Sequence, residues 1–83
     1  MKEEFILKAG FIFKSENTNK LYTLGQWSLM DWGNGYIRID RCIHDNKLVL
    51  TKFEGKIENE EEFKTLLKQI GLYGTTAKNT KIL

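Results

Sequence analysis

This 83-residue chain has one cysteine, Cys42, and one histidine, His44. A lone cysteine excludes an internal disulfide framework and any zinc site built from several thiolates, and it suits a reducing cytoplasm. Charge of one sign is also missing. Thirteen basic residues face eleven acidic ones, a net charge of +2, so no long-range field argues for a polyanionic partner. No apolar run approaches the roughly 20 residues that span a bilayer. Lys8 interrupts the run near the start, so the h-region of a signal peptide is not expected there. No Asn-x-Ser/Thr sequon occurs.

Catalytic patterns are equally sparse. His44 beside Asp45 would need a nucleophile such as Cys42 or Ser28, and nothing in the spacing joins them, so a solvated turn is the simpler reading. Asp31, Asp40, Asp45 and Glu54 read better as strand acids that pin register or solubilise a surface than as a metal or general-acid pair. The Gly33-Asn34-Gly35 stretch is not a phosphate loop, because no helix start follows it. The acids at 58 and 60–62 are explained by helix capping. The chain is therefore expected to be non-enzymatic, with no cofactor and no metal.

What the sequence does contain is a period of two over residues 5–53. Phe5, Leu7, Ala9, Phe11 and Phe13 fall on one side of a first predicted strand. A polar loop at 16–19 leads into a second strand over residues 21–32, with Phe13 opposite Tyr22 and Phe11 opposite Leu24. In this register Gly10 faces Gly25, a natural place for the hairpin to bend. Asn34-Gly35 is a strong hairpin signal, because a type I′ turn needs positive φ at both central residues. A two-residue turn there sets Met30 against Ile39 and Asp31 against Arg38. A three-residue loop, 33–35, would reverse the parity and oppose Met30 to Arg38. A third strand at 36–43, a turn at 44–47 and a fourth strand at 48–53 complete the sheet. Phe53 and Leu50 have opposite parity, so a bulge between them is open, and Glu54-Gly55 reads as the break that ends the sheet.

A helix follows. Asn59 is placed to cap it and Glu62 sits at the capping-box position, while Phe63, Leu66, Leu67 and Ile70 form one apolar stripe. Gly71 and Leu72 suit a Schellman ending. The predicted architecture is α+β, a four-stranded antiparallel meander with one C-terminal helix on one face. Residues 1–74 form a single domain, and 75–83 form a tail without periodicity, expected to be mobile.

One helix covers one face, so the other demands an occupant. The predicted register places Ile6, Lys8, Trp27, Leu29, Asp31, Tyr36 and Arg38 on the uncovered face, as large anchors with a polar rim. These seven are the candidate partner-binding residues. A sheet that curls enough to bury both faces would instead make Trp27 core. The small size, the lack of catalytic motifs and the open sheet face are similar to those of small inhibitor and immunity proteins. That resemblance implies a protein-binding module, acting through the open face or a strand edge, on another protein or on itself as a homodimer. The alternative is a single-stranded nucleic-acid binder using Lys8, Lys14, Arg38, Trp27 and Tyr36 as a stacking platform, against which Asp31 and Asp40 weigh.

Overall fold

The computed structural model describes residues 2–43 and 48–72. The predicted turn at 44–47, with His44, and the predicted tail at 75–83 lie outside the described residues. The chain runs α1 (Glu3–Lys8), β1 (Ile12–Glu16), β2 (Lys20–Leu24), β3 (Trp27–Asp31), β4 (Tyr36–Ile43), β5 (Leu48–Lys56) and α2 (Glu60–Gln69). The strands form one antiparallel sheet in the order β1-β2-β3-β4-β5. The α+β class and the meander order are as expected. The strand count is corrected to five, and a second helix precedes the sheet.

The extra helix takes the first half of what reads as a strand. Glu3 and Glu4 lie in its first turn and Lys8 in its last, each complementing the helix dipole. Gly10, at φ 106°, ends it, and its N–H donates to the Leu7 carbonyl at 3.0 Å. Six residues are too few to hold a helix alone. Tertiary contacts therefore fix α1: Ile6 is fully buried, Tyr22 Oη donates to Glu3 Oε2 at 2.8 Å, and Lys8 Nζ lies 3.2 Å from Glu60 Oε2 of α2. Alternation at residues 5, 7 and 9 is thus incidental, and Leu7 is exposed.

The second correction is at Gly25. The single strand expected over 21–32 is two strands joined by Gly25-Gln26, with Leu24 paired to Trp27 across the turn. Gly25 has φ 59° and Gln26 stays out of the positive-φ region, the pattern of a type II′ hairpin turn with glycine at its first central position. The facing glycines do not share a bend.

The third correction decides which residues are inside. Asn34 and Gly35 take φ 54° and 80°, as a type I′ turn requires, but Gly33 also has φ 89°. It bulges, so Trp32 N–H donates to the Tyr36 carbonyl at 3.0 Å while Met30 pairs with Arg38 and Asp31 with Ile37. The expected Asp31–Arg38 and Met30–Ile39 pairings do not form. One residue of slip turns every side chain of a strand to the opposite face. Leu29 and Trp27 consequently lie on the helix side, and Met30 and Trp32 on the open side.

Elsewhere the reading holds more closely. Phe13 pairs with Tyr22, and a bulge at Lys14 reconciles this with a loop one residue shorter, Glu16 pairing with Lys20. In β5 a bulge at Lys52 changes parity between Leu50 and Phe53. The strand then continues to Lys56 rather than breaking at Glu54-Gly55. The Phe53 ring lies 3.0 Å from where a Gly55 Cβ would sit, covering the backbone there. Asn59 caps α2 by accepting from the Glu62 N–H at 3.0 Å. Gly71 N–H bonds the Lys68 carbonyl and Leu72 N–H the Leu67 carbonyl, a complete Schellman motif.

The core joins Ile6 of α1, Phe63, Leu66 and Leu67 of α2, and Tyr22, Leu29, Ile37 and Ile39 of the sheet. Each large side chain so buried contributes roughly 1.5 to 3 kcal/mol. Both helices serve this one core, and the opposite sheet face has neither.

Candidate interaction surface

The open face is centred on the strand ends next to the Asn34-Gly35 turn. Tyr36 pairs with Lys56, Arg38 with Met30 on one side and with Glu54 on the other. Pleating therefore sets Trp32, Tyr36, Arg38, Met30 and Glu54 on the same side. The Trp32 and Tyr36 rings stack at 4.9 Å with 14° between their planes. The Arg38 guanidinium lies 5.9 Å from the Trp32 ring centre, within cation–π range.

Polar contacts hold this cluster in place. Tyr36 Oη donates to Glu54 Oε2 at 3.0 Å, and that bond, more than burial, raises the Tyr36 phenol above its ordinary pKa. Arg38 Nε donates to Asp40 Oδ2 at 3.1 Å. Asp40 itself is 5% exposed, and its Oδ1 has no hydrogen-bond partner among the described residues. With the Asn19 amide oriented to satisfy its neighbours, Trp32 Nε1 donates to Asn19 Oδ1 at 2.8 Å, tying the aromatic pair to the β1–β2 loop. The cluster is preorganised, and Tyr36 remains 37% exposed.

The seven residues expected on this face divide sharply. Tyr36 and Arg38 are there. Leu29 and Ile6 are fully buried in the core, and Trp27 packs against it with the Arg41 guanidinium 5.5 Å from its ring. Lys8 is engaged with Glu60 between the helices. Asp31 Oδ1 accepts from the Gly33 N–H at 2.8 Å, so it braces the bulge. The placement of Ile6, Lys8, Trp27, Leu29 and Asp31 on the open face is corrected, and its cause is the new helix together with the Gly33 slip. Trp32, Met30 and Glu54 were missed. The signal for Trp32 and Met30 was the second glycine flanking Asn34, which permits a three-residue loop.

No protein-family model, curated protein or solved structure matches this chain.

The two sheet edges differ. β1 is five residues long, bulged at Lys14, and exposes Ile12 and Phe13. The Phe13 ring leans edge-on against Tyr22, 5.7 Å between centres. β5 is nine residues long and exposes three consecutive apolar residues, Leu48 at 43%, Val49 at 52% and Leu50 at 41%. Among the described residues no strand lies beyond either edge.

A groove of about 440 Å³ between β5 and α2, lined by Phe53, Lys56, Ile57, Glu61, Thr65 and Gln69 among others, holds no histidine, cysteine or serine. Among the described residues no three His, Cys, Asp or Glu side chains converge, and no helix is long and apolar enough to cross a membrane.

Proposed function

We propose that this chain is a small non-enzymatic protein-binding module of the inhibitor or immunity type. It engages a protein partner through the sheet face that its helices leave open, or through a strand edge. The supporting observation is the Trp32–Tyr36 stack with Arg38 beside it. Tryptophan, tyrosine and arginine are the residue types that dominate interface energetics, and here they are held in one geometry before any partner arrives. The lone Cys42 suits work in the cytoplasm.

A stacking platform for single-stranded nucleic acid uses similar residues. On this face, however, Arg38 is neutralised by Asp40 and Tyr36 is bonded to Glu54. Two carboxylates at the platform repel phosphate, so a protein partner is the better reading.

Affinity capture from the native host with the whole chain, run beside the Trp32→Ala/Tyr36→Ala double variant, tests the proposal. A protein retained by the wild type and lost from a folded double variant supports it. Binding of single-stranded oligonucleotides that weakens steeply with added salt would replace it with the nucleic-acid reading. Equal capture by both chains would remove the open face from the account.

A further inference from the structure

We propose that residues 48–50 of β5 pair antiparallel with the same residues of a second copy of this chain, continuing the sheet across a two-fold axis at Val49. The inference rests on the strand-edge route of the proposed function and names its partner.

An unpaired edge strand carries free backbone N–H and C=O groups, and proteins normally blunt it with charge, a bulge or brevity. β5 has such protection at Lys52, where the bulge lies, and at Lys56. Among the described residues, 48–50 have no such protection and are the apolar stretch that is most exposed along this strand. Their order, Leu-Val-Leu, reads the same in both directions. An antiparallel copy therefore sets each Leu48 opposite Leu50 of the other copy and Val49 opposite Val49, apolar against apolar at every step.

A two-fold contact requires such self-complementarity, and charge and the bulge disfavour axes placed further along the strand, at Lys52 and Phe53. Centred on Lys52, the two lysines would face each other, a destabilising cross-strand pair. Centred on Phe53, the bulge would fall inside the ladder and interrupt it. The axis at Val49 keeps both bulges at the ends of the paired segment.

The geometry also completes existing surfaces. Leu50 pairs with Arg41, which pairs with Trp27. The leucines of both copies thus extend the row beside Trp27 on the helix side, and the two Val49 side chains meet on the open side next to Cys42. Three residues per copy cover less than the roughly 800 Å² per partner of a standard interface. The dimer is therefore weak and concentration-dependent.

Sedimentation equilibrium of the full chain between roughly 10 μM and 1 mM, the range in which small interfaces dissociate, reads the outcome. The expected result is a mass rising from 9.7 kDa toward twice that value. Val49→Lys, on an exposed side chain, should hold the mass at one chain throughout while circular dichroism stays unchanged, and Ile12→Lys on the opposite edge should not. Register is read separately. In a Cys42→Ser background, a short bismaleimide should join Val49→Cys chains in several-fold higher yield than Ile12→Cys chains.

A wild-type mass constant at one chain overturns the proposal, as does dimerisation that survives Val49→Lys or cross-linking that favours Ile12→Cys. Failure here with partner capture still dependent on Trp32 and Tyr36 would leave the open-face reading intact. Loss of capture in the Trp32/Tyr36 variant does not bear on the β5 pairing, so the two fail separately.

Discussion

The two faces of this sheet are made from nearly interchangeable residues, Leu29 and Trp27 against Met30 and Trp32. Yet Leu29 has no exposed surface while Met30 is only half-buried, and Trp27 packs on the core while Trp32 stacks on Tyr36. Composition did not decide between them. Both alternating sets are apolar enough to serve as an interior, and a bulged glycine in one turn selected which did. An apolar stripe on a strand identifies a candidate core, and the turn geometry determines the face.

The sharpest way to break this comparison is to truncate one residue from each set. Leu29→Ala leaves a cavity under both helices and should cost about 2 to 5 kcal/mol. Met30→Ala should cost about 1 kcal/mol or less, as expected away from a core. Urea denaturation of the two variants measures both numbers, and equal losses would show that the faces are not distinguished as described.

A smaller effect is expected at the tie between α1 and the sheet. Burial first, and the Glu3 hydrogen bond second, raise the Tyr22 phenol well above its ordinary pKa. The folded state thus holds this proton more tightly than the unfolded chain, whose tyrosine titrates near about 10. The contribution is complete below about pH 10 and is lost as pH climbs through the folded value. Tyr22→Phe should lower stability by about 1 kcal/mol at neutral pH and flatten the alkaline decline in denaturation midpoints.

The smallest effect belongs to the open face. Tyr36→Phe removes an exposed hydrogen bond to Glu54 and should change stability by no more than about 0.5 kcal/mol. Its informative readout is spectroscopic: the phenol titration with a raised midpoint should disappear from the ultraviolet pH curve. A large stability loss would mean that this face is structural.

Much of the architecture could be read from the chain because several levels of signal agreed. Asn59, Gly71 and Leu72 specify both ends of α2 through local hydrogen bonds that formed as expected, while the Glu62 carboxylate accepts from the Glu58 N–H rather than from Asn59. Phe13 does oppose Tyr22, because a loop one residue shorter than expected is offset by the bulge at Lys14, and the opposite parity of Leu50 and Phe53 does mark a bulge in β5. The misreadings share one origin, local sequences compatible with two conformations. Residues 3–8 alternate like a strand but carry helix-dipole charges, and their fate depends on contacts from Tyr22 and Glu60 that lie far along the chain. Gly25-Gln26 looks like strand in the sequence because its neighbours continue the alternation on both sides. At Gly33 the competing three-residue loop was recognisable, and the apparent gain of an Asp31–Arg38 pair weighed against it. That pair is a surface interaction worth little, whereas the observed register seals Leu29, Ile37 and Ile39 together.

Gly33 consequently acts as a parity bit for the whole meander. Draw that single residue out of the loop and into the ladder, opposite Tyr36 across a two-residue Asn34-Gly35 turn, and the chain keeps its hydropathy, its charges and every other turn, while strand β3 must present its alternate set of side chains to the helices. Interior and exterior would exchange roles, and Trp32 would be lost from the exposed aromatic cluster. In a fold of this kind, a one-residue change in where a hairpin turn closes is a heavier edit than most substitutions, because it reassigns a whole strand at once.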